Sequence, residues 1–398
     1  MAVGLDVTSK FYVDRTDSKT ARAAARYVDP EPDSRHVNRF SQLRTLLRLD
    51  SLRQNGASAS LTEKEDPTRA SIFFLHGEAH RRRRGAIIGF FTPQAVKERH
   101  MPIISQTADE LISNFRRQGR ARLDDMSFQL TARVVAEIIG LTETPLMPMM
   151  HRVEGANSAT DMWRGGWRKL IAPLKSWYYG LSFFLRDVKP AIAARRAHRR
   201  EDVISKLLDE GRSDQEILVE CMTFGLAGIG TTREFIVVAA WHMFDKPELR
   251  RRFLDGEVAD RMAILMEILR LEPQASMIYR TAVEDVEGAM PEKIANGERI
   301  SLNIRAANLD EDVVGADPWR IDPDRAKRHK NNGAWMSFGD GTHTCPGWQV
   351  ALNESRVFLE RLFAVPGIRL VREPDVQWTP PMLQSYQLVN AVIECDAS

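Results

Sequence analysis

The chain is poor in cysteine, with only Cys221, Cys345 and Cys395 among its 398 residues. Three widely spaced cysteines cannot form the disulfide framework that is typical of small secreted domains. Their scarcity points to a reducing compartment, so we expect a cytoplasmic location.

Long hydrophobic runs are also missing. The first thirty residues lack the apolar segment of a signal peptide or a membrane anchor. The longest apolar stretch, residues 221–244, is interrupted by Arg233 and Glu234, which favours a buried helix over a membrane span. We therefore expect no membrane association.

Neither sign of charge dominates the chain. There are 56 Lys and Arg against 54 Asp and Glu, for a net charge of +2, which gives no reason to expect nucleic acid binding. Hydrophobic residues make up 43% and charged residues 28%, which are ordinary values for a globular protein with a sizeable core.

The hydrophobic pattern predicts a mainly α fold with a small β-rich part. Residues 40–275 follow a helical period between Pro and Gly breaks, whereas 278–304 resemble short strands. An irregular, Asp- and Pro-rich stretch covers 308–332, which is long enough to indicate a specialised role. A last helix follows Pro346, and strand-like pieces end the chain.

One predicted helix is exceptionally long. Ser213 and Glu216 form a capping-box start, and no proline interrupts the pattern as far as Phe244. About 31 residues at roughly 1.5 Å each would span some 46 Å. Its middle reads AGIGTT (227–232), and two glycines there indicate either close helix packing or room for a ligand that faces the hydroxyl of Thr231.

The segment SFGDGTHTCPG (337–347) carries the strongest chemical signal, because it places three glycines, a His and a Cys before a helix. A free cysteine is often an inert core residue. His343 and Cys345 could also form half of a zinc site, but His329 is the only further ligand candidate nearby.

This segment resembles the haem-binding loop of the cytochrome P-450 family, the haem-thiolate monooxygenases, whose pattern is F-G-x-G-x-H-x-C-x-G. AGIGTT resembles the oxygen-binding groove of that family, Glu267 to Arg270 resembles its E-x-x-R helix, and Arg325 resembles the third member of its Glu-Arg-Arg cluster. The pattern is met at Phe338, Gly339, Gly341, His343, Cys345 and Gly347.

The resemblance implies a cytochrome P-450 fold with a long central helix over a buried haem b. It also implies that the Cys345 thiolate binds the iron. The start of the following helix should lower the pKa of this thiol. We expect one domain over 1–398, with an N-terminal extension (1–35), mainly helical parts (36–277 and 305–365) and β-rich parts (278–304 and 366–398).

Haem brings two propionates into an apolar site, where unpaired carboxylates are costly. His80 and Arg84 lie four residues apart on one predicted helix face, where the family contacts propionates. Arg280 and His343 resemble its other two propionate partners. We interpret Arg81 to Arg83 as a solvated basic face or a docking site for an acidic electron donor. The remaining haem contacts implied by the resemblance are Ala227, Phe338, Gly339 and Gly347.

Two further sets of residues follow from the resemblance. Glu267, Arg270 and Arg325 should form a buried structural network. Gln274, Met277, Ser385 and Tyr386 should line an apolar substrate pocket together with the segment before His80. A cluster of aromatic residues has either a core or a substrate role: Trp163, Trp167, Trp177, Tyr178, Tyr179, Phe183 and Phe184.

The sequence departs from the family at Gly230, where an Asp or Glu usually precedes the groove threonine and relays protons. Glu234 lies one helical turn later, and we predict either that it replaces the missing acid or that it only pairs with a nearby cation while water fills the gap. The predicted catalytic residues are therefore Thr231, Glu234 and Gly230. The departure also leaves open peroxide-driven oxidation, desaturation or coupling.

The resemblance implies a monooxygenase, here expected to be a monomer in secondary metabolism, that oxidises a small apolar substrate such as a terpenoid, steroid or aromatic compound. A separate ferredoxin and an NAD(P)H-dependent ferredoxin reductase would supply electrons. A non-catalytic haem sensor or ligand carrier is the alternative from another functional class.

Overall fold

The computed structural model describes residues 16–24, 33–55, 70–156, 167–331, 333–378 and 385–396. It confirms the predicted mainly α architecture with small sheets. Among the described residues, the helices of seven residues or more are α1 (Phe40–Leu46), α2 (Gly77–Ile87), α3 (Met101–Gln118), α4 (Leu123–Ile139), α5 (Leu146–Ala156), α6 (Trp167–Phe183), α7 (Lys189–Ala197), α8 (Val203–Asp209), α9 (Asp214–Gly225), α10 (Thr231–Asp245), α11 (Pro247–Asp255), α12 (Val258–Leu271) and α13 (Trp348–Phe363).

Helices α9 and α10 are joined by the π-helical turn Leu226–Gly230 into one continuous helix, Asp214–Asp245, which we call the central helix. The Ser213 hydroxyl accepts a hydrogen bond from the Glu216 backbone, and the Glu216 carboxylate accepts one from the Ser213 backbone, so the predicted capping box is present. By length and composition this helix could span a membrane, but half of its most apolar window is buried inside the protein, as in many core helices.

Within the described ranges, the β-rich part consists of three small sheets. Their strands are β1 (Arg35–Val37), β2 (Leu52–Asn55), β3 (Arg120–Arg122), β4 (Met277–Ala282), β5 (Arg299–Asn303), β6 (Arg369–Arg372), β7 (Asp375–Trp378), β8 (Tyr386–Val389) and β9 (Val392–Glu394). Their orders are β1-β5-β4-β2, β3-β9-β6 and β7-β8, and β1–β5 is the one parallel pairing among these described strands.

The hydrophobic core surrounds α10, whose residues from Phe235 to Met243 are all buried. A helix that is apolar on all sides must be enclosed by other elements, and α4, α12 and α13 pack around it. A second buried cluster lies under the four-stranded sheet and includes Leu43, Leu302 and Trp335. The second half of the central helix is therefore enclosed by the core.

The predicted irregular stretch contains only short helical turns, Glu311–Val314 and Arg325–Arg328, among its described residues. The last long helix begins at Trp348, just after Pro346, as predicted. That the whole chain forms one domain with the stated internal boundaries stays a prediction.

Candidate functional site

Cys345 lies between the short 3-10 turn Gly341–His343 and the start of α13. Its backbone N–H donates to the Phe338 carbonyl at 2.8 Å, which closes the loop below the cysteine. Burial raises the pKa of the Cys345 thiol, while the N–H groups of Gly347 and Trp348 and the Arg84 guanidinium act to lower it. The start of α13 therefore acts to lower the pKa of this thiol, as expected, although burial contributes more and makes the net shift upward.

Glycine is required in this loop at Gly341, which has φ +69° and lies so close to the Leu47 carbonyl that a Cβ would collide with it. Gly339, with φ +70°, makes the turn before it. The Phe338 ring packs 6.2 Å from the Trp348 ring, measured between centroids, and so anchors the loop to α13.

Cys345 opens onto a largely apolar cavity between the central helix and the N-terminal end of α13. Five of the expected haem contacts are among the lining residues, namely His80, Arg84, Ala227, His343 and Gly347, whereas Arg280, Phe338 and Gly339 are not. Their contact with haem stays a prediction. The other residues that line the cavity are Ile72, Phe73, Ile87, Phe91, Val135, Ile138, Ile139, Thr223, Phe224, Gly228, Thr232, Pro346, Val350, Ala351 and Glu354.

Five basic side chains gather at the side of this cavity, and we call His76, His80, Arg84, Arg280 and His343 the basic cluster. The His343 ring lies 4.1 Å from the His80 ring and 5.5 Å from the His76 ring, centroid to centroid. The Arg84 guanidinium donates to the Thr344 carbonyl at 2.5 Å, which holds it beside the cysteine loop.

Burial, with mutual repulsion, disfavours positive charge in the basic cluster. It lowers the pKa of His343 to about 2, aided by His80 and Arg280, and the pKa of His76 to about 4. Burial alone lowers the pKa of Arg280 to about 10, and its guanidinium donates a hydrogen bond to the Tyr279 carbonyl at 2.9 Å. No carboxylate of the described residues contributes to these shifts. The positive charges that remain, on the Arg84 and Arg280 guanidinium groups, fit a ligand that brings its own negative charges, as haem propionates would.

His76 was not predicted to belong to this cluster, because the helical spacing that links His80 to Arg84 does not include it. The available signal was its position directly before the helix that carries His80 and Arg84.

The central helix passes the cavity at its π-helical turn. A Cβ at Gly228 would lie 2.9 Å from the Val135 side chain, so this glycine permits close packing against α4. A Cβ at Gly230 would meet nothing within 4 Å. The close-packing interpretation of AGIGTT is therefore confirmed at Gly228, whereas room for a ligand beside Thr231 stays a prediction, because neither Gly230 nor Thr231 is among the cavity-lining residues. π-helical turns are rare, and many of those that occur lie at functional sites. The two glycines are the only signal for this turn in the sequence.

Neither Thr231 nor Glu234, two of the predicted catalytic residues, is among the residues that line the cavity. The Thr231 hydroxyl donates to the Ala227 carbonyl at 2.6 Å, and Thr232 rather than Thr231 is among the cavity-lining residues. The Glu234 carboxylate accepts the Leu388 N–H at 2.6 Å and pairs with Arg233 at 2.9 Å. Burial raises the pKa of Glu234 to about 7, although Arg233 opposes the shift. Glu234 does not line the cavity, and its catalytic role stays a prediction.

The run Arg81 to Arg83 is not uniformly a solvated face. Arg81 and Arg82 are exposed, and Arg82 pairs with Glu78 at 2.9 Å. Arg83 is 3% exposed and pairs with the buried Glu220 at 2.5 Å. The sequence interpretation is therefore wrong for Arg83, because its side of α2 faces the central helix.

Glu267, Arg270 and Arg325 lie together in a buried network. Arg270 donates to both carboxylate oxygens of Glu267 at 2.7 and 2.9 Å, and Arg325 donates to one of them at 3.0 Å. The two guanidinium groups also donate to backbone carbonyls of the irregular stretch, including those of Pro318 and Val314. The network thereby fixes a segment that has little secondary structure of its own.

The four expected pocket residues are not among those that line the cavity. Gln274 and Tyr386 are buried and hydrogen bonded to each other, and the Tyr386 hydroxyl also donates to the Glu272 carbonyl at 3.1 Å. Met277 is buried in β4, and Ser385 directly precedes β8. Substrate contact by these residues stays a prediction, whereas Ile72, Phe73, Phe91 and Phe224 form the observed apolar wall.

The aromatic cluster divides between surface and interior. Trp177 and Tyr178 are exposed, and Phe183 is fully buried. Trp163 lies outside the described residues, as does the side chain of Trp167.

Comparisons with known proteins agree with this geometry. The family model described as Cytochrome P-450 matches residues 262–365. A biotin biosynthesis cytochrome P-450 of Bacillus subtilis is 26% identical over 316 residues, covering 77% of this chain and 75% of the relative. A steroid C26-monooxygenase of Mycolicibacterium smegmatis is 27% identical over 393 residues, covering 94% and 92%. The crystal structure of P450BioI with an acyl carrier protein ligated to hexadec-9Z-enoic acid superposes with a TM-score of 0.75 at 23% identity, covering 91% of each chain, and supports the fold.

Proposed function

Since the chain belongs to the cytochrome P-450 family and is a monooxygenase of that family, we propose that it inserts one oxygen atom from O2 into a small apolar substrate. Terpenoids, steroids and aromatic compounds are the candidate classes. The observation that carries the proposal is the cavity that joins Cys345, the basic cluster and the π-turn of the central helix.

Haem b is the proposed form of the cofactor. The Cys345 thiolate would bind its iron, and the basic cluster would hold its propionates. When bound, it supplies oxygen activation, which a thiolate ligand favours by pushing electron density to the iron. Arg84 and Arg280 would hold the propionates, and the hydrogen bonds of the cysteine loop would keep the sulfur in place.

The protein would position the substrate against an apolar wall. Ile72, Phe73 and Phe91 come from the α2 side of the cavity, and Phe224 comes from the central helix. Apolar walls bind by removing hydrocarbon surface from water, and they give little orientation unless they are rigid. Polar groups would be few, with Thr223 and Thr232 as the hydroxyls that line the cavity.

A separate ferredoxin and an NAD(P)H-dependent reductase are the proposed electron donors, in the cytoplasm. The exposed Arg81 and Arg82 offer positive charge to an acidic partner, which chiefly raises the association rate.

Peroxide-driven oxidation is the second candidate function. The observation that favours it is the open space at Gly230 together with the engagement of Glu234 by Leu388 and Arg233. A peroxide carries both oxygen atoms, electrons and protons, so it removes the need for a carboxylate relay.

One experiment tests both functions. Purified protein is titrated with terpenoid, steroid and aromatic compounds, and binders are identified by the spin-state change of the haem spectrum. Each binder is then incubated with ferredoxin, reductase and NAD(P)H, or with peroxide alone. Product with the redox partners supports the first function, and product with peroxide alone supports the second. No product under either condition, with the compound bound, would favour a sensor or carrier.

A further inference from the structure

A carboxylate on the central helix lies at one end of the cavity without lining it. Glu220 precedes the cavity-lining residues Thr223, Phe224 and Ala227 by three, four and seven residues, so it lies on the same helix face. Its side chain is 1% exposed. Nothing in the proposed reaction uses this group.

One oxygen of Glu220 connects two other elements to the central helix. Oε1 accepts a hydrogen bond from Arg83 Nη1 at 2.5 Å and another from the Ile72 backbone N–H at 3.2 Å. Arg83 also lies 3.5 Å from Glu216, one turn earlier on the same helix. The contact therefore joins α2, the segment 70–75 and α9 at a single point.

Each of the joined elements supplies a wall of the cavity. Ile72 and Phe73 belong to the segment, His80 and Arg84 to α2, and Thr223 to α9. The segment has no regular secondary structure beyond turns, so its backbone lacks the ladder of hydrogen bonds that holds a strand or helix. The N–H of Ile72 is held by Glu220 instead.

The buried ion pair of Glu220 and Arg83 adds little to folding stability. Burial raises the pKa of Glu220, and Arg83 opposes that shift. The cost of desolvating two charges offsets much of their attraction, so this buried ion pair contributes little net stability, and its effect here rests on the hydrogen bonds that it directs. Arg83 Nε and Glu220 Oε2 have no hydrogen-bond partner within the described part of the chain, and the hydrogen bonds from Arg83 and Ile72 both go to Glu220 Oε1.

We propose that Glu220 and Arg83 are a positioning pair that fixes Ile72 and Phe73 as a preformed wall of the cavity, and so sets which ligands bind above the haem. The inference rests on the proposed function only in that the cavity holds haem. A preformed wall strengthens binding because the ligand does not have to order it.

The test uses the haem-loaded protein and two probes that ligate iron, imidazole and 4-phenylimidazole, with affinities read from the shift of the Soret band. We expect the wild type to prefer 4-phenylimidazole, because its phenyl group contacts the apolar wall. In Glu220→Gln and Glu220→Ala this preference should fall by at least about fivefold, while imidazole affinity stays within about twofold. Glu78→Gln, which breaks the exposed pair with Arg82 on the same helix, is the matched control and should not change the preference.

A double-mutant cycle keeps the result specific to the wall. Phe73→Ala should lower the preference, and Glu220→Gln should add little to it in the Phe73→Ala background, because both changes act on one contact. An unchanged preference in Glu220→Gln, or full additivity with Phe73→Ala, overturns the inference. Absence of any Soret shift in the wild type would instead contradict the proposed haem function.

Discussion

The imidazole rings of His80 and His343 lie 4.1 Å apart, tilted by 31°, although they belong to distant parts of the chain. Two basic rings in contact, with Arg84 and Arg280 acting on the pKa of His343, form an arrangement that an anion would stabilise. This relationship yields the most direct test of where haem is held.

Arg84→Ala and Arg280→Ala should weaken haem retention, whereas Arg82→Ala should not. Leaving a buried propionate unpaired costs several kcal/mol, and each 1.4 kcal/mol is about tenfold in affinity. We expect haem transfer to apomyoglobin to be at least roughly tenfold faster in the first two variants. Arg82 is the control, because it is exposed and pairs with Glu78. Equal transfer rates in all three variants would show that the propionates face elsewhere.

Cys345→Ala should abolish the thiolate-type spectrum of the reduced carbon monoxide complex. The reason is that the proposed ligand sulfur is removed, while the loop keeps its backbone hydrogen bond to Phe338. Cys221→Ala is the matched control, because Cys221 is buried in the core and away from the cavity lining. A Cys345→Ala protein that kept the thiolate-type band would rule out this ligand.

Gly230→Asp should increase the product formed per NAD(P)H consumed, and Glu234→Gln should lower it. A positioned carboxylate contributes about 10²- to 10⁴-fold to proton transfer, and a Cβ at Gly230 would meet open space. A pKa of about 7 suits Glu234 for exchange near neutral pH, but a water molecule would have to bridge it to the cavity.

The measurement is coupling efficiency with a binding substrate and a competent ferredoxin. Glu234→Gln retains an acceptor for the Leu388 N–H, so it isolates the ionisable proton from the structural contact. Unchanged coupling in Glu234→Gln would remove Glu234 from proton delivery and leave solvent as the source.

Glu354→Gln should stabilise the haem-loaded protein, and the gain should grow with pH. Burial raises the pKa of Glu354 from 4.5 to about 8. The folded protein therefore holds this proton more tightly than the unfolded chain, so stability is highest below about 4.5 and falls as pH rises through about 8. At about 1.4 kcal/mol per pKa unit, the variant gains at most roughly 3 to 5 kcal/mol above that range.

Thermal unfolding between pH 5 and 8.5 checks this prediction. Glu360→Gln on the same helix serves as the control, because Glu360 is partly exposed and paired with Arg356 at 2.6 Å. A constant difference in melting temperature between Glu354→Gln and the wild type across the range would contradict a buried, protonated Glu354.

The sequence by itself determined the elements whose signals are local. The capping box at Ser213 and Glu216 and the uninterrupted apolar pattern predicted the central helix, and the glycines around Cys345 predicted the loop before α13. Both follow from short-range backbone chemistry, namely a satisfied helix start and positive φ angles that favour glycine.

Only the tertiary structure decided which face of each element meets the cavity. Arg83 and Arg84 are neighbours in the sequence, yet Arg83 pairs with Glu220 and Arg84 lines the cavity. Glu234 was expected to face the space beside Gly230, but its carboxylate accepts a hydrogen bond from the Leu388 N–H of β8, which packs against the central helix. Periodicity fixes which residues share a face, whereas the direction of that face depends on elements distant in the chain, because packing and desolvation act between them.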